Sequence, residues 1–254
     1  AQAASPDVST LALNVLPDGV PPPQRFYQFA LAPEDESRQV AERLVAEGRR
    51  VGVALVPSGE WGARVLAAFE AGMRAGGGNV VASRFFPNGM TDFSELITGV
   101  LGFDDSRRRH RQLVAALGTT LEFAPRRRDD LQYVFVAGQP VQGRLIRPQL
   151  KFHYAGDLPV YAISDVFDPN PAANEDLEGV TFADTPWMIA QDPAVASVRD
   201  SLMQLWPQNV RRRGRLYAMG FDAYRLVAEL KEPGVALSEP IAGMTGRLTV
   251  DADG

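Results

Sequence analysis

The chain has 254 residues, 45% of them hydrophobic and 22% charged, the balance of a globular protein long enough to bury most of the surface its unfolded form exposes. A net charge of −5 argues against a general phosphate-backbone binder, because affinity for nucleic acid is mostly electrostatic and favours a basic domain. The absence of cysteine excludes disulfides, thiol nucleophiles and cysteine metal sites within these residues.

In chain order, Leu11-Ala-Leu-Asn14 and Phe26-Tyr-Gln-Phe29 have the pattern of short strands, and Pro33 to Ala46 that of a helix with proline in its first turn and Gly48 behind it. No helical pattern precedes the first strand to cover it, so the opening strands of the fold are expected to be missing. Val51-Gly-Val-Ala-Leu-Val56 is apolar on both faces and predicts a buried parallel strand, ended by the turn Pro57-Ser58-Gly59. From Trp61, the spacing of Val65, Leu66, Phe69 and Met73 predicts a helix that Gly76-Gly77-Gly78 stops. Asn79 to Phe86 is the next strand, and Asp92 with Glu95 marks a capped helix start carrying Phe93, Leu96, Ile97 and Val100.

Leu131 to Ala137 and Pro159 to Ile163 are two further strands. After Gly179-Val-Thr-Phe182, two helical stripes follow, one of Val195, Val198, Leu202 and Leu205, the other of Leu216, Met219, Ala223, Val227 and Leu230. Gly246 to Val250 is a late strand. Strands alternating with amphipathic helices indicate an α/β fold with a mainly parallel sheet. The longest apolar runs fall far short of the roughly 20 residues that a membrane span requires, and Ala1 to Thr10 lacks the regions of a signal peptide.

Ligands of an open parallel sheet meet the loops at the carboxyl ends of its strands. That rule nominates Ser58, Trp61, Gln139, Ser164 and Asp165, with Asn14 after the first strand, as ligand-cleft candidates. They are open to two readings: a polar pocket with Trp61 as an aromatic wall, or helix caps at Ser58 and Asp165 with Trp61 in the core. The two histidines, His110 among arginines and His153 between elements, sit in no nucleophile or metal motif. Neither a catalytic residue, a metal site nor a cofactor is expected.

Three arginine clusters remain, Arg107 to Arg111, Arg126 to Arg128 and Arg211 to Arg215. Each reads either as a solvated face or as a docking patch, since arginine is enriched among interface anchors. The second is followed by Asp129-Asp130, which can pair with it internally. Lysine occurs only at Lys151 and Lys231, a compositional bias that weakens the functional reading of any single arginine.

Several stretches, in order along almost the whole chain, resemble the LppC/LpoA family of lipoproteins. They are Leu11-Ala-Leu-Asn14, Ala32-Pro-Glu-Asp-Glu36, Gly59-Glu-Trp-Gly-Ala-Arg64, Pro125-Arg-Arg-Arg-Asp-Asp130, Pro148-Gln-Leu-Lys-Phe152, Leu158-Pro-Val-Tyr-Ala-Ile-Ser164, Asp176-Leu-Glu-Gly179 with Pro186-Trp187, and Gly220-Phe-Asp-Ala-Tyr224.

The resemblance implies a two-lobed type I periplasmic-binding-protein fold that lacks the first strands of its first lobe. Residues 1–50 would be part of lobe 1, 51–178 mostly lobe 2, and 179–254 a crossover and return to lobe 1. It implies a non-enzymatic lipoprotein that stimulates a class A penicillin-binding protein in peptidoglycan synthesis. The full-length protein would sit in the periplasm, tied to the inner face of the outer membrane by a lipid anchor outside this sequence, and would bind no nucleic acid. Trp187, Arg126, Arg127 and Arg128 are the partner-contact candidates, chosen on residue chemistry, and peptidoglycan fragments are a second class of ligand. The alternative is a periplasmic solute-binding protein that captures an amino acid or cell-wall fragment between its lobes.

Overall fold

A computed structural model describes residues 8–16, 20–189, 192–230 and 240–250. The chain forms two compact units, one of Ala1–Ala32 with Asp184–Gly254 and the other of Pro33–Ala183.

Strands β1 (Thr10–Ala12) and β2 (Phe26–Gln28), in the first of these, pair in parallel. Helix α1 (Pro33–Ala46) opens the second. The sequence expectation put residues 1–50 together, yet α1 belongs with 33–183. Its buried Val40, Ala41 and Leu44 pack against Val65, Leu66, Phe69 and Met73 of helix α2 (Glu60–Ala75). The two helices cross closely at Gly72, where a Cβ would stand 2.8 Å from the Ala41 Cβ.

Strands β3 (Val51–Pro57) and β4 (Asn79–Phe86) flank α2 in the chain. Helices α3 (Ser94–Val100) and α4 (Phe103–Leu117) follow, then β5 (Tyr133–Val136), α5 (Pro140–Phe152), β6 (Val160–Ala162) and β7 (Val180–Phe182). The sheet is parallel throughout with order β4-β3-β5-β6-β7. The period-2 alternation of strands splits its residues between two cores. Val53, Leu55, Val134, Val136 and Val160 face Phe93, Ile97, Leu101, Ile146 and Leu150 from the α3 and α5 side. Ala54, Val56, Tyr133, Phe135 and Tyr161 face α1 and α2, where Phe135 stacks on Phe69 with centroids 3.8 Å apart. At the start of α3, the Asp92 carboxylate accepts the Ser94 N–H at 2.9 Å, but the N-cap residue is Phe93, with no side-chain cap bond.

The chain then returns to the first unit through α6 (Pro186–Ile189), α7 (Pro193–Leu205) and α8 (Pro207–Glu229), which bends at Arg213. The Asp192 carboxylate caps α7 by accepting the Ala194 N–H at 2.8 Å. Strands β8 (Ile241–Ala242) and β9 (Arg247–Leu248) make an antiparallel pair, β9 inside the expected late strand and β8 before it.

The expected helical stripes are only partly buried, because Leu205, Leu216 and Val227 are exposed. Met219 and Ala223 of the expected stripe are buried, and beside them a buried row of α8 runs through Val210, Gly214, Ala218, Asp222 and Leu226, one residue in four. Small and polar side chains in that row hide it from a hydrophobicity count. Among the described residues, no helix is long and apolar enough to cross a membrane.

Candidate functional site

An open parallel sheet binds ligands at the carboxyl ends of its strands, where the strand order reverses. Here the reversal falls beside β3, with β4 on one side and β5 on the other. Ser58 leaves β3, Gln139 leaves β5, and Ser164 and Asp165 leave β6. The sheet therefore brings these four residues to one edge, together with Trp61 in the first turn of α2.

Ser58 is exposed, and its N–H donates to the Phe86 carbonyl at 2.7 Å, tying the exits of β3 and β4 together. Trp61 is half-buried against the α1–α2 core, the packing reading of that residue. Gly138 has φ +152°, and a Cβ there would lie 3.3 Å from the Phe86 ring, so the turn out of β5 calls for glycine. Gln139 is exposed, and its N–H donates to the Gln142 Oε1 at 2.7 Å over the start of α5.

Ser164 is buried, and its N–H and Oγ donate to the Glu36 carboxylate at 2.7 and 2.9 Å. Asp165 is exposed in a short 3-10 turn, Ser164–Val166. Sequence reasoning missed Glu36, because an acid in the first turn of a helix reads as a partner for the helix dipole. A polar ligand arriving at this edge meets hydroxyl, amide and carboxylate groups, one of them already bonded to Ser164. Asn14 lies in the other unit, exposed, with its Oδ1 accepting the Val15 N–H at 2.9 Å. That unit also has a groove of about 260 Å³ with mainly apolar walls, including Leu11, Tyr27, Val227 and Leu230.

Both histidines lie away from this edge. The His110 ring stacks on Phe123 with centroids 4.1 Å apart, and its Nε2 lies 3.2 Å from the Leu121 carbonyl. His153 ends α5, its ring edge-on to Phe152. Among the described residues, no group of three His, Cys, Asp or Glu side chains is placed to hold a metal ion.

The partner-contact candidates fare differently from one another. Trp187 is 1% exposed in a core with Val195, Val210, Ala218 and Met244. It is a packing residue whose ring offers no surface to a partner, which corrects the expectation. Arg127 clasps the Asp157 carboxylate with two nitrogens and also donates to the Tyr154 carbonyl at 2.8 Å. Arg128 clasps Asp130 at 2.7 and 3.0 Å, the internal pairing that the adjacent acids suggested. The Arg126 side chain is exposed, while its backbone N–H donates to the Ser106 Oγ at 3.3 Å.

Hydrogen bonding from Arg127, more than its charge, holds the Asp157 carboxyl down at about 2. A depressed carboxylate stabilises the fold at pH values above its unfolded value and loses that contribution as pH falls through the folded one. Asp157 is mostly exposed, so Asp157→Asn is expected to cost less than about 1 kcal/mol at neutral pH. Urea denaturation should show that cost shrinking between about pH 4 and pH 2.

The family model described as "LppC putative lipoprotein" matches residues 1–254. A curated protein named penicillin-binding protein activator LpoA from Vibrio antiquarius (strain Ex25) is 32% identical over 98% of this chain and 41% of its own length. A protein of the same name from Vibrio cholerae is 32% identical over 96% of this chain and 40% of its own. The chain thus spans about two fifths of the length of these relatives. Among solved structures, the C-domain of Haemophilus influenzae LpoA, described as a regulator of PBP1A, aligns with TM-score 0.63 at 20% identity. The alignment covers 96% of this chain and 68% of that one. A putative branched-chain amino acid ABC transporter from Chromobacterium violaceum aligns with TM-score 0.65 at 26% identity over 97% of this chain and 69% of the other. These likenesses give the chain an α/β fold of the periplasmic-binding-protein type. With all 254 of its residues inside the family model, the chain belongs to the LppC family of lipoproteins.

Proposed function

We propose that this chain is part of a periplasmic lipoprotein that stimulates a class A penicillin-binding protein during peptidoglycan synthesis. The observation that carries the reading is the match, along 96% to 98% of the chain, to curated proteins named penicillin-binding protein activators. In this reading the chain catalyses nothing itself, and the chemistry belongs to the synthase. Stimulation then requires that the protein bind the active conformation of the synthase more tightly than the inactive one. A lipid anchor outside the sequence would hold the full-length protein at the inner face of the outer membrane, and the units 33–183 and 1–32 with 184–254 would be its two lobes. The direct test is reconstitution with the full-length protein: the cognate synthase should cross-link lipid II faster when it is present.

The second reading is capture of an amino acid or cell-wall fragment, and the likeness to a solved ABC transporter component favours it. The polar carboxyl edge of the 33–183 sheet, with Ser58, Gln139 and Asp165, would then take the ligand. A thermal-shift screen of the full-length protein against amino acids and muropeptides separates the two, since a bound ligand raises the melting temperature by mass action. No rise with any of them would sink capture.

A further inference from the structure

Helix α4 carries an apolar stripe that overruns the body it packs on. Phe103 and Ser106 are the buried residues of this 15-residue helix. About two and three turns beyond Ser106 on the same face, Leu113 is 54% exposed and Leu117 is 62% exposed. Gly118, at φ +64°, ends the helix by donating its N–H to the Val114 carbonyl at 3.0 Å. The chain then runs back beside it, with Phe123 stacked on His110 and the Arg128 N–H bonded to the Leu101 carbonyl at 2.9 Å. The result is an arm of helix and return segment, anchored at its base and bearing large apolar side chains in water. A lone helix of this length is marginal in water unless its apolar face is covered.

Charge sets the arm apart from the rest of the molecule. Residues 103–128 contain seven arginines and three carboxylates, a net +4 in a chain whose net charge is −5. Arg107 and Arg108 pair with Asp104 and Asp105 on the arm itself. Arg127 and Arg128 pair with Asp157 and Asp130 at its base. Arg109 and Arg111 are exposed and in no ion pair among the described residues. Arg109 lies a full turn before Leu113 on the same side of the helix, and Arg111, two residues before Leu113, points to the other side and adds to the positive charge of the arm.

We infer that this arm docks into a protein partner, with Leu113, Leu117 and Phe123 entering an apolar groove whose rim carries a carboxylate for Arg109, on a surface acidic enough for Arg111 to add to the attraction from the other side of the helix. Anchors at i and i+4 on one helix face are what a groove in a protein reads. A helix lying in a lipid surface needs a broader apolar face, whereas here Arg109 and Gln112 border Leu113 on the exposed turns. Binding to a polyanion alone would leave the leucines without a role. The inference rests on the reading of the chain as a regulator acting by protein contact.

The test uses the full-length protein and its cognate class A penicillin-binding protein, with binding followed by biolayer interferometry. Two double variants are compared with the wild type: Leu113→Glu with Leu117→Glu, and Arg109→Glu with Arg111→Glu. All four positions are exposed, and helix content by circular dichroism checks that each variant is folded. The leucine variant is expected to bind about tenfold more weakly or worse. The arginine variant should also weaken and should lose the fall in affinity that the wild type shows on adding salt. Wild-type affinity retained by both folded variants overturns the arm and leaves the regulator reading intact. A wild type that does not bind the synthase overturns that reading and the inference with it. Vesicles containing phosphatidylglycerol complete the set: variants that lose only vesicle binding point to a lipid surface and overturn a protein partner.

Discussion

Gly62→Ala is expected to cost the 33–183 unit about 4 kcal/mol, at the severe end of single substitutions. Gly62 lies in the first turns of α2, directly after β3 turns at Pro57-Ser58-Gly59. A Cβ at this position would stand 1.8 Å from the Pro57 carbonyl oxygen and 2.9 Å from its carbon. Both obstacles are backbone, so no rotamer change relieves them, and either α2 must move off α1 or β3 must shift in the sheet. Each shift loosens the core around Phe69 and Phe135, which are fully buried, and closely packed interiors tolerate such displacement poorly. Urea denaturation followed by circular dichroism should show the loss as a lower midpoint. Gly220→Ala is the control: it sits on an exposed turn of α8 with nothing within 4 Å of the new Cβ. There a gain of about 0.5 to 1 kcal/mol is expected from helix propensity.

In the other unit the largest effect belongs to Asp222→Ala, expected to cost about 3 kcal/mol through lost charge-assisted bonds and stranded donors. The Asp222 side chain is fully buried on the inner row of α8. Its carboxylate accepts the Met244 N–H at 2.9 Å, and the Thr245 N–H and Oγ1–H at 2.7 Å each. Those donors form the turn between β8 and β9, and Gly243 lies so near that a Cβ there would be 2.6 Å from the carboxylate. Alanine would leave three donors without their acceptor and open a polar gap beside Met244, part of the Trp187 core. Asparagine keeps one oxygen and is expected to fall between the two. Amide hydrogen exchange at Met244 and Thr245 should quicken in the alanine variant well below global unfolding.

Much of this architecture is legible in the sequence because the 33–183 sheet is buried on both faces. Val51 to Val56 and Leu131 to Ala137 read as continuous apolar runs for that reason. The first-turn proline and closing glycine of α1 marked that helix in the same way. Helix α4 was not legible, because only its first turn is buried and its arginines read as a solvated surface. In α8 the count of apolar residues chose Met219, Ala223 and Leu230, which are buried, but also Leu216 and Val227, which are exposed, and it passed over the buried Gly214, Ala218 and Asp222. There tertiary hydrogen bonding and close helix packing override hydrophobicity.

The candidate site divides along similar lines. Strand ends predicted which loops share an edge of the sheet, so the placement of Ser58, Gln139, Ser164 and Asp165 at that edge was legible from strand positions alone. Which of their hydrogen bonds are already taken depends on residues distant in the chain, as Glu36 is from Ser164. Trp187 was chosen as a contact for its chemistry, but the same large apolar ring that suits an interface also suits a core. The family resemblance carried a functional expectation that no local pattern in the chain supplies.

The proposed function requires that the full-length protein activate a peptidoglycan synthase by binding it. The measurement is the cross-linking rate of the cognate class A penicillin-binding protein on lipid II, with and without an excess of the full-length protein. A rise that saturates with added protein, while the protein alone releases nothing from purified sacculi, is the predicted result. An unchanged rate with a synthase that is otherwise active would contradict it.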